Sequence, residues 1–348
     1  MRPSHLVLER RRLRWRSELR CLRWFAGVCS LILCAAPAFA QTWAERLGYP
    51  PTTKVIVLHA NELGLAYETN AAGTKLLDDG PVRSAAAMAT APWFADFTKW
   101  CQAHPNADVG LELTLNSELP NYRYKPILST GRVPSLVGAD DYLWQLPVQT
   151  MVNATADDVE RELRAQINRA RNLGLEPTHL TTHLGTLVTR PDFMEVYLRV
   201  ARQEWIPAMI VEITPVQLER FRDQGFPLPD DVVALLDDYP LPKVDDLRFL
   251  GSEASSDATK QAFLKLLEGL SPGITQIAFP PAIESEALPR IAPNAQQRVW
   301  NAQLFADEDV QKALAADGIL ITDWREIMRR FEGRPELSDQ SDEPTAAE

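Results

Sequence analysis

Lys54-Val-Ile-Val-Leu-His-Ala60 is an almost unbroken apolar run. It is too short for a typical helix, rich in β-branched residues, and stops abruptly at Asn61-Glu62-Leu63-Gly64. Such a run marks a strand buried on both faces, as in a parallel sheet covered by helices. Moving outward, the pattern repeats. A helix is expected over Asn70–Gly80, a strand over Ser84–Ala89, a helix over Pro92–Gln102 and a strand over Val109–Leu115. Thr155-Ala-Asp-Asp158 reads as a capping box with Asp in the usual Glu place. The helix behind it carries Val159, Leu163, Ile167, Ala170 and Leu173 on one stripe and ends at Gly174. Further helices are expected over Pro191–Gln203, Asp257–Leu270, Asp307–Ala316 and Trp324–Phe331. Strands are expected over Pro207–Ile213, Ile274–Phe279 and Ile319–Thr322. Residues 226–250, rich in Pro and Asp, read as irregular. Alternating strands and helices make this an α/β chain with a parallel sheet or barrel.

The 348 residues suffice for one large domain or two small ones. Residues 1–40 read as a signal peptide: eight arginines between Arg2 and Arg23, an apolar run from Trp24 to Leu33, and Ala-Ala-Pro-Ala-Phe-Ala40 before Gln41. Their removal takes three of the four cysteines, leaving Cys101 and no intrachain disulfide. It also lowers Lys+Arg from 36 to 28 and Asp+Glu from 47 to 45, so the net charge moves from −11 to −17. Such acidity disfavours nucleic acid and anionic membranes. The expectation is a protein secreted across the inner membrane, periplasmic or extracellular, with no stable membrane insertion after cleavage. One domain over 41–333 and an acidic, disordered tail over 334–348 complete the expected organisation.

Chemistry in parallel βα folds sits at the carboxyl ends of the strands. Glu62 follows the first strand, Glu112 lies in the third, and His183 closes Pro177-Thr-His-Leu-Thr-Thr-His-Leu-Gly-Thr186. The threonines favour a strand there. In a strand His179 and His183 stand about 13 Å apart, at roughly 3.3 Å per residue. One ion then takes only one of them, and His183, at the exit into the Gly185 turn, is the better placed. Glu112, a carboxylate among leucines, needs a partner. Two carboxylates and an imidazole suit a divalent ion, Mg²⁺ or Mn²⁺ before Zn²⁺. The bland reading pairs Glu112 with a buried arginine and leaves the histidines in the core. The segment Asn116–Asn153 is long and irregular. The aromatic residues among its Tyr122, Arg123, Tyr124 and Trp144 argue against disorder.

Several segments together resemble the YdjC family, the ChbG/HpnK-type carbohydrate deacetylases. They are HANELGL (59–65), APWF (91–94), VGLELTLNSEL (109–119), YRYKP (122–126), PTHLTTHLGTL (177–187), IAFPPA (277–282), Arg298 and ITDWREI. The resemblance implies a distorted (β/α) barrel of the polysaccharide-deacetylase-like type. It also implies divalent-metal hydrolysis of an acetamido group on a sugar, with Tyr122, Arg123, Tyr124 and Trp144 as candidates for lining the sugar site. Carried over by position, the general base falls on Asn61 and the metal ligands on Glu62, Glu112 and His183. Where family members read A-D-D, this chain has Ala60-Asn61-Glu62, so the base position holds an amide that cannot accept a proton, and the catalytic role passes to Glu62 or Glu112 only where the metal does not fully commit them. Glu112 replaces a ligand histidine. Thr181 stands where an Asp orients the last histidine, which leaves His183 without that partner. Pro280 and Asn301 replace a His and an Asp. The resemblance therefore implies either a deacetylase with an altered site or a catalytically inactive, carbohydrate-binding relative.

Overall fold

The computed structural model describes residues 41–223 and 229–335. The expected signal peptide and nearly all of the expected tail lie outside the described residues. Seven strands form one parallel sheet: β1 (Lys54–Leu63), β2 (Ser84–Ala87), β3 (Asp108–Leu113), β4 (Leu180–Thr182), β5 (Asp246–Phe249), β6 (Gly273–Phe279) and β7 (Ile319–Ile321). The order is β4-β3-β2-β1-β6-β5. β1 is the centre. Its first half pairs β7 on one edge, its second half pairs β2 on that edge, and β6 runs along the other from Lys54↔Gly273 to Ala60↔Phe279.

Isolated parallel bridges carry the pairing on from β4. Leu180 pairs Ala208 and Val211 pairs Val244, next to the start of β5. The sheet is a curled, incompletely regular barrel, as the expected fold class requires. The stretch 207–213, expected as a strand, is reduced to these bridges. Its backbone turns from β4 (Met209 N to Leu180 O, 2.7 Å) to the chain before β5 (Val244 N to Ile210 O, 3.0 Å). It therefore never keeps one neighbour long enough to form a ladder.

The helices Tyr67–Asp79, Phe94–Ala103, Ala156–Asn172, Pro191–Glu204, Ser256–Glu268, Glu308–Leu314 and Trp324–Phe331 fall where the periodicity predicts, within three residues. Thr155 Oγ1 caps Ala156–Asn172, but the reciprocal half of the expected capping box is absent. The Asp158 carboxylate instead accepts from Ser135 N (2.9 Å) and Ser135 Oγ (2.6 Å), pinning the long loop to the helix. Residues 226–250 are not irregular throughout: a helix spans Asp230–Asp237, and β5 follows. The segment 116–153 likewise contains a short helix, Pro147–Asn153.

The core fills both faces of β1. Ile56, Leu58 and Leu63 lie in the main cluster, while Val55 and Val57 pack with Trp43, Ile274 and Trp324. At about 25 cal/mol per Å² of buried apolar area, each fully buried aliphatic side chain contributes about 1.5–3 kcal/mol. Among the described residues no helix is long and apolar enough to cross a membrane.

Candidate active site

β1 does not run straight to its end. Between Ala60 and Leu63 its register against β2 shifts, and Glu62 takes a left-handed backbone at φ 61°. A bulge of this kind re-aims one side chain. It also turns the Glu62 N–H towards β3, where it donates to Glu112 Oε2 at 2.7 Å. Glu112 lies in register with Thr181 of β4. One residue beyond β4 the chain turns through Leu184 (φ 52°) and Gly185 (φ 68°), which sets His183 at the strand's exit. His183 Nδ1 meets Glu112 Oε1 at 2.8 Å, and its Nε2 meets Glu118 Oε2 at 3.0 Å. Arg298, from the helix Ala295–Gln303, reaches back to Glu62 Oε2 at 2.5 Å.

The buried imidazole thus sits between two carboxylates. Burial opposes its charge, but Glu118 and Glu112 outweigh burial and hold its pKa well above the usual range. Burial raises the Glu112 carboxyl, against the pull of His183. Glu118 is lowered: burial works against this, and His183 overrides it. The cluster is rich in negative charge and retains a proton.

Glu62, Glu112 and His183 each offer a ligand atom, and these atoms all lie within 4.8 Å of one another. Ligands about 2.1 Å from one ion stand roughly 3 Å apart when adjacent and about 4.2 Å apart when opposite. The three therefore form a possible metal-binding triad that needs only a small contraction. Two hard carboxylates, one imidazole and a surplus of negative charge fit a divalent cation. The orienting partner that Thr181 cannot supply is present after all. Glu118, itself bonded by Tyr124 Oη at 3.0 Å, faces the second nitrogen of His183. The sequence reading missed this role, although Glu118 lies inside the 109–119 segment that carries the resemblance. Thr181 Oγ1 is buried and finds no partner among the described residues.

Asn61 lines the same cavity as the triad. Its Oδ1 is bonded to His59 Nδ1 at 2.5 Å, and His59 Nε2 to His179 Nε2 at 2.7 Å. An amide oxygen only accepts, so His59 carries its proton on Nδ1 and receives the His179 proton on Nε2. Burial, helped by His179, lowers the His59 pKa to about 3, so the His59 ring is neutral. His179 stacks on Trp324 in the core and takes no part in the triad.

The four loop residues are placed elsewhere. Tyr122 Oη donates to Leu65 O, Trp144 Nε1 to Ser135 O, and Arg123 to Ser117 Oγ and Leu143 O. None of Tyr122, Arg123, Tyr124 and Trp144 is among the residues lining the cavity beside the triad. Tyr124 is the one joined to the cluster, through Glu118. Pro280 lines the cavity, and Asn301 holds its carbonyl at 3.1 Å.

The chain is similar to known proteins over most of its length. The sequence profile of the YdjC-like protein family matches residues 55–316. A carbohydrate deacetylase of Thermus thermophilus is 33% identical over 258 residues, covering 70% of this chain and 84% of that one. A carbohydrate deacetylase of Geobacillus stearothermophilus is 25% identical, covering 78% and 98%. The crystal structure of an Enterococcus faecalis protein named for cellobiose-phosphate cleavage superposes with a TM-score of 0.65 at 20% identity, covering 79% and 99%. That structure shares the fold. The profile match and the identity to the Thermus protein together place the chain in a family: it belongs to the YdjC-like proteins.

Proposed function

We propose that the protein is an exported carbohydrate deacetylase that hydrolyses an acetamido group on a sugar and depends on a divalent metal. Support comes from relatives named carbohydrate deacetylase and from the leader-like residues 1–40. The observation that carries the reading is the convergence of Glu62, Glu112 and His183 within 4.8 Å at one end of a cavity.

Glu62, Glu112 and His183 would hold the ion, Mg²⁺ or Mn²⁺ before Zn²⁺. Bound there, a divalent ion supplies a Lewis acid for the amide carbonyl and acidifies water. The chain's own residues do the rest. Glu118 and Tyr124 orient the imidazole. Arg298 holds one oxygen of Glu62, whose Oε1 makes no hydrogen bond among the described residues. That oxygen is the one Glu62 offers, and it takes a proton from water only where the ion leaves it uncommitted. Asn61, its oxygen committed to His59, presents its NH₂ group, a donor suited to the substrate carbonyl. Without an acid at position 61 the reaction is slow, since a positioned base contributes about 10²–10⁴ in rate.

The test is elemental analysis of the full chain purified without chelator, beside Glu112→Ala, followed by acetate release from N-acetylated oligosaccharides. Near-stoichiometric metal lost in the variant, with acetate released by the wild type, is expected. An empty wild-type site after soaking in Mg²⁺, Mn²⁺ and Zn²⁺, with no acetate released, overturns the reading. Retained sugar binding would then identify a catalytically inactive relative. That second reading draws on Asn61 and on the neutralisation of Glu62 by Arg298.

A further inference from the structure

The cavity beside the triad has a volume of about 900 Å³, far more than an acetyl group needs. Its walls are unlike a sugar site. Met194, Met209, Ile210, Val232, Leu236 and Leu247 face it, and among the described residues no Trp or Tyr lines it. Most of these come from the bridge segment after β4, the helix Asp230–Asp237 and β5, elements that contribute nothing to the triad.

The polar residues of the wall, outside the triad, Asn61 and the unpartnered Thr181 Oγ1, are largely spent on the protein itself. Arg190 Nη1 holds the carbonyls of Met151 (2.8 Å) and Ala154 (3.0 Å), and its other nitrogens hold Asp192. Thr182 Oγ1 accepts from Leu187 N, Thr189 Oγ1 donates to Thr186 O, and Gln276 Oε1 accepts from Trp324 Nε1. A sugar hydroxyl placed there would lose water and find few partners, whereas a hydrocarbon loses nothing. Leu184 and Phe249, 47% and 63% exposed, extend the apolar lining to the outside.

We propose that this cavity takes a hydrocarbon chain of the substrate, so that the amide hydrolysed here belongs to an amphipathic molecule. This rests on the deacylase reading of the triad and narrows its substrate class. The chain belongs either to the acyl group removed or to an aglycone on the sugar. In both cases the reaction balances: the amide C–N bond breaks, the acyl carbon gains the water hydroxyl, and the nitrogen gains a proton. An eight-carbon chain fills roughly 240 Å³ at about 30 Å³ per group, which leaves room for one sugar ring.

The experiment is a chain-length series measured by titration calorimetry on the full-length protein. One arm is N-acylglucosamines with two, four, six and eight acyl carbons. The other is O-alkyl glycosides of N-acetylglucosamine with one to eight alkyl carbons. Acid or acetate release is measured in parallel. Burial of a methylene is worth about 0.8 kcal/mol, so affinity is expected to rise about fourfold per methylene in one arm, which names the source of the chain. Leu247→Gln, with its fold checked by circular dichroism, should flatten that slope. If Leu247→Gln does not fold, Val232→Thr replaces it and the wild-type series still decides.

Flat affinity in both arms overturns the proposal. If acetyl substrates are nevertheless hydrolysed, the deacetylase reading stands alone. Chain-dependent affinity without hydrolysis of any compound keeps the cavity assignment and overturns the enzyme reading.

Discussion

Replacing Arg298 by Met tests the electrostatic design of the site. Arg298 and Glu62 are 3% and 14% exposed, and their contact is 2.5 Å. The substitution nearly preserves length and volume, so the cavity term is small. What is lost is the counter-charge. Removing one partner of a buried pair costs about 3–5 kcal/mol, because the other charge stays behind without compensation. The residual exposure of Glu62 puts the expected loss at the lower end, about 3 kcal/mol. Glu112 and Glu118 stand close by, and the His183 charge is already shared between them, so it does not replace the guanidinium. Urea unfolding with chelator present is the assay. With a slope near the top of the usual range, about 3 kcal/mol per M, the midpoint should fall by about 1 M. Millimolar divalent ion should recover much of this loss and recover little in the wild type, since the ion replaces the missing positive charge. Asn294→Ala, which removes only the 2.9 Å bond to Arg298 Nε, should cost about 1 kcal/mol or less. A midpoint shift below about 0.3 M for Arg298→Met would show that the pair is solvated and would refute the argument.

Three further outcomes follow from named contacts. Asn61→Asp places a carboxylate beside the triad, at the position the family uses for its base, and is expected to raise hydrolysis of the wild type's substrate about 100-fold; unchanged turnover at full metal occupancy would remove the base argument. Burial pushes the Glu162 carboxyl up to about 7 despite bonds from Ile127 N, Leu128 N and Gln166. A raised folded-state value means that the stabilising protonated form is fully present below the unfolded value near 4.5 and is lost as pH climbs towards 7. Glu162→Gln should therefore remove about 3 kcal/mol of pH-dependent stability across that window, and a variant curve parallel to the wild type sinks the assignment. Gly110→Ala would set a Cβ 2.4 Å from the carbonyl oxygen of His179, forcing β3 and β4 apart; thermal unfolding should show a loss of about 3 kcal/mol, and a loss below about 1 kcal/mol contradicts the close approach.

Strand-end position already singled out Glu62, Glu112 and His183, the resemblance gave the same three as ligands, and the structure brings those residues together. The resemblance also implied an unoriented His183. A carboxylate from another segment, Glu118 of 109–119, occupies that role, and no spacing rule connects residue 118 to residue 183.

The sequence by itself determined the local elements. The apolar run 54–60 could only be a buried strand, Thr155 had to cap the helix behind it, and Gly185 had to turn the chain beyond His183. These depend on side-chain period and backbone freedom within a few residues, which a sequence states directly. Tertiary structure alone decided the rest. β5 and the helix Asp230–Asp237 emerge from a Pro- and Asp-rich stretch because their neighbours supply pairing and burial, not because their residues prefer those states. Arg298 meets Glu62 across 236 residues. The loop aromatics turn to their own backbone, while aliphatic residues from three separate elements enclose the cavity beside the triad. Which side chains share a space depends on how the sheet curls, and that is settled by long-range packing that no local pattern encodes.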